Sequence, residues 1–135
     1  MKKIILFLFF LGLFENVFAD DVANNVSKLK LLKTCNGCDL NSADLMSEKL
    51  IDSDLIGANL VNVDLAGAKL FDANLTGANL TKAYLIYADI TGAKLLDANL
   101  TDSNLAYADL TDTNFSGANL TGTNLSSDSI FKTAI

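Results

Sequence analysis

Residues 73–82 read Ala-Asn-Leu-Thr-Gly-Ala-Asn-Leu-Thr-Lys, two copies of one five-residue unit, and this unit decides the fold. Every fifth position from Leu40 to Ile130 is large and apolar: sixteen are Leu, two are Ile and one is Phe, with no insertion. We call this residue the centre of its repeat. Two positions before the centre, eleven of the nineteen residues are Ala, and the residue between the two is usually Asp or Asn.

A period of five excludes a regular helix or a straight strand as the repeating element. On a helix, five residues advance about 500°, so successive centres would form no stripe. On a strand, an odd period would place successive centres on opposite faces. The chain must therefore turn once per repeat, always toward the same side. The pattern predicts a solenoid in which the centre and the residue two before it both point inward.

The unit Ala-(Asp/Asn)-Leu-x-x, as in Ala58-Asn59-Leu60 and Ala108-Asp109-Leu110, resembles the consensus of the pentapeptide-repeat family. The resemblance implies an all-β fold, a right-handed quadrilateral β-helix with four repeats per coil. Nineteen repeats then make about 4.75 coils. We expect this solenoid to span residues 38–132, followed by a C-terminal tail over 133–135.

Residues 1–19 are typical of a secretory signal peptide. Two lysines precede an apolar run over residues 4–14, and Val17 and Ala19 are small residues suited to a cleavage site. A retained membrane anchor is the alternative, but the run is shorter than the roughly 20 residues that a span needs. We expect cleavage after Ala19, no stable membrane span after cleavage, and a periplasmic or secreted protein.

Each open end of a solenoid needs a cap. Before the repeats, Val22, Val26, Leu29 and Leu32 recur at helical spacing. They predict a capping helix over residues 21–34, laid over the first coil within a segment, 20–37, that also holds a turn with two cysteines. A helix lying on a membrane surface is the alternative.

The C-terminal end and two unusual inward positions carry further expectations. Ile130, Phe131 and Ile135 are available to cover the last coil, and an end-to-end contact between two chains is the alternative. We therefore expect a monomer or a weak end-to-end homodimer. Glu48 and Asp128 place carboxylates at inward positions, which predicts a bulge or rotated corner at Glu48 and the end of regular coiling at Asp128.

Cys35 and Cys38, separated by Asn-Gly, are the only cysteines. In an exported chain such a pair most simply forms one disulfide, and this bridge would hold the capping helix against the first coil. Thiol–disulfide exchange is the functional alternative. Two thiols without His do not complete a zinc site, so we expect no metal and no cofactor.

Residues twenty apart should stack on neighbouring coils if each coil holds four repeats. Tyr87 and Tyr107 form such a pair, with Tyr84 and Ile86 beside them, and these four make a candidate binding patch. Alternatively, the stacked tyrosines only stabilise that side of the solenoid.

On the next side of the solenoid, lysines give way to aspartates along the chain, at Lys49, Lys69, Asp89 and Asp109. A cation could bind among these and nearby aspartates. The sequence lacks the calcium-binding nonapeptide repeat, so it favours a solvated charged side.

The composition excludes several functions. The chain contains no His and no Arg, so it has no imidazole base and no guanidinium clamp. Its net charge of −6 disfavours nucleic-acid binding. We expect a non-catalytic, exported interaction or scaffold module with a protein partner. One alternative is a redox factor that uses Cys35 and Cys38. A second comes from the resemblance, since some family members mimic DNA and inhibit a topoisomerase, but the expected leader argues against it.

Overall fold

The computed structural model describes residues 21–126, and the expected signal peptide, the expected C-terminal plug and Asp128 lie outside that range. One helix, α1, spans Val22–Leu32. After it, the backbone forms parallel β-bridges between residues twenty apart, from Thr34 with Asp54 to Asn104 with Asn124. One coil therefore holds twenty residues, or four repeats. Within residues 21–126 each side of a coil pairs through a single residue, so the sides are isolated bridges rather than continuous strands.

The coils stack so that the residue before each centre forms one of four ladders. We number these sides 1 to 4 in chain order. Side 1 holds Thr34, Asp54, Asn74, Lys94 and Asn114; side 2 holds Asp39, Asn59, Asn79, Asn99 and Asn119; side 3 holds Asp44, Asp64, Tyr84, Asn104 and Asn124; side 4 holds Lys49, Lys69, Asp89 and Asp109.

Backbone hydrogen bonds join each coil to the next. The N–H of Leu80 donates to the carbonyl of Asn99, nineteen residues later, at 2.7 Å. The N–H of Tyr84, just before a centre, donates back to Val63 at 2.9 Å. The same two bonds recur along the repeats, so buried backbone groups find partners in the coils on either side.

The Asp or Asn that precedes most of the centres has a specific structural role. The N–H of the residue after the centre takes no part in the ladder, and the preceding side chain accepts from it instead. In the repeat around Leu80, the Oδ1 of Asn79 accepts from the N–H of Thr81 at 3.1 Å and from its hydroxyl at 2.6 Å. This Asx hydrogen bond gives a partner to the backbone N–H after the centre, which donates to no carbonyl of a neighbouring coil.

The corners require backbone with positive φ. At the corner after Leu80, Lys82 has φ 57° and the N–H of Ala83 donates back to the Leu80 carbonyl at 3.0 Å. Gly77 takes the same position one corner earlier, with φ 66°. Positive φ at the third residue of a β-turn is the reason that Gly, Asn and Asp are frequent at this position.

The axis is filled as the period predicts. The centres from Leu40 to Leu110 are buried, and so are the alanines two positions before them. The expectation of a bulge at Glu48 is wrong, because the N–H of Glu48 makes the ordinary turn bond to Leu45 at 3.1 Å and Lys49 keeps its bridge. Since the glutamate chain is long, its carboxylate reaches outward while the backbone stays in register.

The solenoid also begins earlier than residue 38. The helix ends at Leu32, two residues before the expected end at residue 34. Lys33 then adopts a left-handed conformation with φ 56°, and its N–H donates to the carbonyl of Leu29. Thr34 then makes the first bridge. Cys35 occupies a centre position, five residues before Leu40, and is buried like the leucines.

The last described coil is more open than the others. Leu120 and Leu125 are 36% and 37% exposed, whereas the corresponding centres one coil earlier are buried. Within residues 21–126, no further coil lies over them.

Replacing Leu80 with Ala is expected to lower the free energy of unfolding by about 2–5 kcal/mol, because it leaves a cavity on the axis. The exposed Ile56, changed to Ala, serves as the matched control and should cost much less. Thermal or urea unfolding measures both variants. Equal losses in the two would contradict the inward placement of the centres.

The corner glycines should differ in how they tolerate a methyl group. A Cβ at Gly77 meets no atom within 4 Å, whereas one at Gly92 meets the Oδ1 of Asp72 in the coil before. Gly77→Ala is therefore expected to cost only the strain of positive φ, roughly 1–2 kcal/mol. Gly92→Ala should cost more, and the excess should disappear in an Asp72→Ala background. Equal unfolding midpoints for the two single variants would contradict this packing.

Candidate functional site

The helix α1 lies over the first coil through one stripe of residues. Asp21 caps its first turn, its Oδ1 accepting from the N–H of Asn24 at 2.8 Å. Leu29 is fully buried, and Val22 and Val26 pack against the core. The prediction that Leu32 belongs to this stripe is wrong, since it is 59% exposed at the end of the helix. A polar residue, Asn25, is buried on the stripe instead.

Asn25 explains how the helix caps the solenoid. Each centre N–H donates to a carbonyl nineteen residues later, so carbonyls of the first coil have no earlier coil to donate to them. The Nδ2 of Asn25 donates to the carbonyl of Asp39 at 2.9 Å. The ammonium of Lys33 likewise donates to the carbonyl of Lys49. Side-chain donors from the helix and its C-cap therefore supply two of the hydrogen bonds that an earlier coil would make. The only sequence signal for Asn25 was its place three residues after Val22.

Cys35 and Cys38 are joined in a disulfide, with their Cα atoms 5.3 Å apart. Both residues are inward, and the bond spans the first corner, where the N–H of Cys38 donates to the carbonyl of Cys35 at 3.2 Å. The expectation that the bridge ties the helix to the coil is therefore corrected: it closes a corner within the first coil. The helix contacts this corner through the backbone oxygen of Asn25, 3.5 Å from the Cys35 sulfur.

Two lysines of α1 face this end of the solenoid. The Nζ of Lys28 lies 3.8 Å from the Sγ of Cys38. The Nζ of Lys30 lies 2.7 Å from the Oε1 of Glu48, so the glutamate that interrupts the inward pattern forms an ion pair with the cap. Sequence reasoning assigned neither contact, because both join residues far apart in the repeat register.

The tyrosine patch, defined as Tyr84, Ile86, Tyr87 and Tyr107, lies at the corner between sides 3 and 4. The rings of Tyr87 and Tyr107 stack with centroids 5.0 Å apart and planes inclined by 16°. They are 65% and 46% exposed, and Tyr84 on side 3 is also exposed. The structure thus brings together the four residues that the sequence grouped, on two neighbouring coils.

Side 4 carries the two lysines and the two aspartates in separate halves. Lys49 bridges to Lys69, Lys69 to Asp89, and Asp89 to Asp109. The Nζ of Lys69 lies 4.0 Å from the Oδ2 of Asp89, where the two halves meet. Within residues 21–126, no group of three or more Cys, Asp or Glu residues is arranged to hold a metal ion.

The repeat geometry agrees with the match to a known protein family. A solenoid with twenty-residue coils and an inward Leu every fifth residue is the architecture of a repeat protein. The model of pentapeptide repeats matches residues 49–85, 64–102 and 93–127. The chain belongs to the pentapeptide-repeat family, and it forms a right-handed β-helix solenoid.

Two solved structures are similar along most of the chain. A pentapeptide repeat protein from the thylakoid lumen of Arabidopsis thaliana is 36% identical, with a TM-score of 0.67 over 70% of this chain and 67% of that one. The pentapeptide repeat protein Rfr23 from the cyanobacterium Cyanothece 51142 is 25% identical, with a TM-score of 0.62 over 83% of this chain and 100% of that one. No curated protein is significantly similar in sequence. In the part of the chain that the structure describes, no helix is both long and apolar enough to span a membrane.

Asn25→Leu is expected to lower the free energy of unfolding by about 1–3 kcal/mol, because it leaves the partly buried carbonyl of Asp39 without its side-chain donor. Ser27→Ala, on the exposed face of the same helix, is the control and should change stability little. Chemical denaturation compares the two variants. A fully stable Asn25→Leu would show that the side-chain cap contributes nothing.

Proposed function

We propose that this protein is a non-catalytic, exported interaction module, and that the tyrosine patch is its contact site for a protein partner. The coils form a rigid support, because each is hydrogen-bonded to its neighbours and packed around a core of leucine. Function in such a scaffold belongs to its outward side chains, since the fold itself hosts many functions.

The backbone at the two stacked tyrosines carries the proposal. Tyr87 and Tyr107 have φ of 58° and 59°, a conformation that bulky residues rarely adopt. In the same positions of other corners the chain uses Gly, Asp, Asn, Ser or Lys. Local strain of this kind is often kept where a side chain has a functional role. Two large aromatic rings at strained, exposed corners are well suited to bind a protein surface.

Export is proposed from the leader-like residues 1–19. The C-x-x-C pair fits the same compartment, since disulfides persist in oxidising environments. The proposed setting is the periplasm or the outside of the cell.

One observation favours a second candidate, the redox factor that uses Cys35 and Cys38. The ammonium of Lys28 is 3.8 Å from the Cys38 sulfur and would stabilise a thiolate there. Against it, both cysteines are almost completely buried, which limits access for a protein disulfide. We therefore place the interaction role first.

The DNA-mimic alternative is not favoured. Side 4 begins with Lys49 and Lys69, so the solenoid does not present a uniformly acidic surface. The described coils also stack to about 22 Å, less than the roughly 34 Å of one turn of duplex.

The test is affinity capture from the exported fraction with wild-type protein, with Tyr87→Ser plus Tyr107→Ser, and with Ile56→Ser. Ile56 is an exposed apolar residue at the diagonally opposite corner and serves as the control. We expect a partner that the double variant loses and the control keeps. A partner that survives both substitutions would contradict the assignment of the patch. A partner released only by reductant would favour the redox candidate.

A further inference from the structure

The outward residues of side 4 form a pattern that reverses along the solenoid axis. In the first two coils the ladder residues are Lys49 and Lys69, and in the next two they are Asp89 and Asp109. The four lie in one line at the spacing of the coils, about 4.8 Å. The lysine half and the aspartate half are therefore of equal length, and their boundary lies between Lys69 and Asp89.

The corner that leads into side 4 reverses in size at the same boundary. Its residues with positive φ are Ser47 and Gly67 in the first two coils, then Tyr87 and Tyr107 in the next two. Small residues thus flank the lysines, and large exposed rings flank the aspartates.

The corner that ends side 4 has the opposite arrangement. Ile51 and Phe71, both exposed, follow the lysines. Thr91 and Thr111 follow the aspartates. The side 4 ladder and its two flanking corners therefore all change between the second and third coils. The charge changes sign in the ladder. Side-chain size increases at the corner before the ladder and decreases at the corner after it.

From this pattern we infer that side 4 binds a second copy of this chain, side against side, with the two solenoids antiparallel. A two-fold axis through the boundary level places Lys69 opposite Asp89 of the other copy, and Lys49 opposite Asp109. The same axis places Tyr87 opposite Gly67 and Tyr107 opposite Ser47, so each large ring faces a small residue. Phe71 and Ile51 face the threonines.

The other two-fold arrangement is excluded by charge. If the solenoids were parallel, Lys49 and Lys69 would face their own copies, and so would Asp89 and Asp109. Like charges opposed at an interface are repulsive. Only the antiparallel arrangement makes the surface self-complementary, which is what a two-fold interface requires.

The inference rests on the proposed function, because it names the partner of the tyrosine patch. Four coils give a contact about 19 Å long, which belongs with small, transient interfaces. The charge pairs lie at an open surface, where salt screens them. We therefore expect a weak dimer that dissociates as the salt concentration rises.

Sedimentation equilibrium of the chain recovered from the exported fraction tests the inference with two opposite variants. The acidic variant carries Lys49→Asp and Lys69→Asp, and the basic variant carries Asp89→Lys and Asp109→Lys. Each variant alone should self-associate about tenfold more weakly than wild type, since charge reversal opposes like charges. An equimolar mixture should form a heterodimer at least as tight as the wild-type dimer.

Lys82→Asp, at the corner between sides 2 and 3, is the control and should dimerise like wild type. The mixture also guards against misfolding, because two misfolded variants would not restore a dimer. A monomeric wild type at every concentration would overturn the inference, and so would a dimer that both charge variants retain.

The outcomes separate this inference from the proposed function. If the chain is monomeric but a different protein is captured through Tyr87 and Tyr107, the second-copy inference fails and the interaction role stands. If the dimer follows the charge pattern, the second copy is confirmed as a partner. If the chain is monomeric and no partner depends on the tyrosines, both fail.

Discussion

The hydrogen bonds between successive coils are the interaction on which the rest of this structure depends. Each side pairs through only one bridge residue, so no strand is long enough to be stable alone. Stability comes from repetition, because every coil satisfies the backbone of the coils on both sides. This requirement keeps the repeat at five residues without insertion, since one extra residue would shift every later bridge. It also creates two ends with unpaired backbone groups, one of which the helix α1 covers.

The corners restrict which residues can follow each centre. Because the chain turns four times per coil, the second residue after each centre must adopt positive φ. The chain has Gly at only some of these positions. Asp and Asn fill most of the others at modest cost, and Ser42, Ser47 and Lys82 fill three more. The two tyrosines do not fit this rule, and they are also the rings that stack in the open. The conflict between local preference and observed position is what marks them as functional candidates.

Much of the fold could be predicted from sequence because the period is incompatible with helices and strands. Inward leucine and alanine and the helix near residues 21–34 follow from the spacing of the apolar residues. The stacking of Tyr87 on Tyr107 follows only once the resemblance to pentapeptide repeats implies four repeats per coil. The details at the N-terminal end could not be predicted, because they depend on long-range contacts of single side chains. In the sequence, Asn25 looks like a surface residue, because nothing there shows that the carbonyl of Asp39 lacks a backbone donor from an earlier coil. Cys35 is equally hard to recognise as a centre, because it is not a leucine.

The candidate site was predicted only in part for a similar reason. With the four repeats per coil that the family resemblance implies, Tyr84, Ile86, Tyr87 and Tyr107 are placed together, but this register does not predict the positive φ at two of them. The prediction of a solvated charged side considered only the ladder residues of side 4 and not the corners beside them. The reversal of size in the flanking corners becomes visible only when the coils are aligned in space.

Through-hydrogen-bond couplings measured by NMR on isotope-labelled protein test the central claim most directly. They connect each amide nitrogen with the carbonyl carbon that accepts its proton. The account predicts couplings from centre amides to carbonyls nineteen residues later, such as Leu80 to Asn99. Couplings from the centre amides to carbonyls at any other constant spacing would mean a coil with a different number of sides and would contradict this ladder.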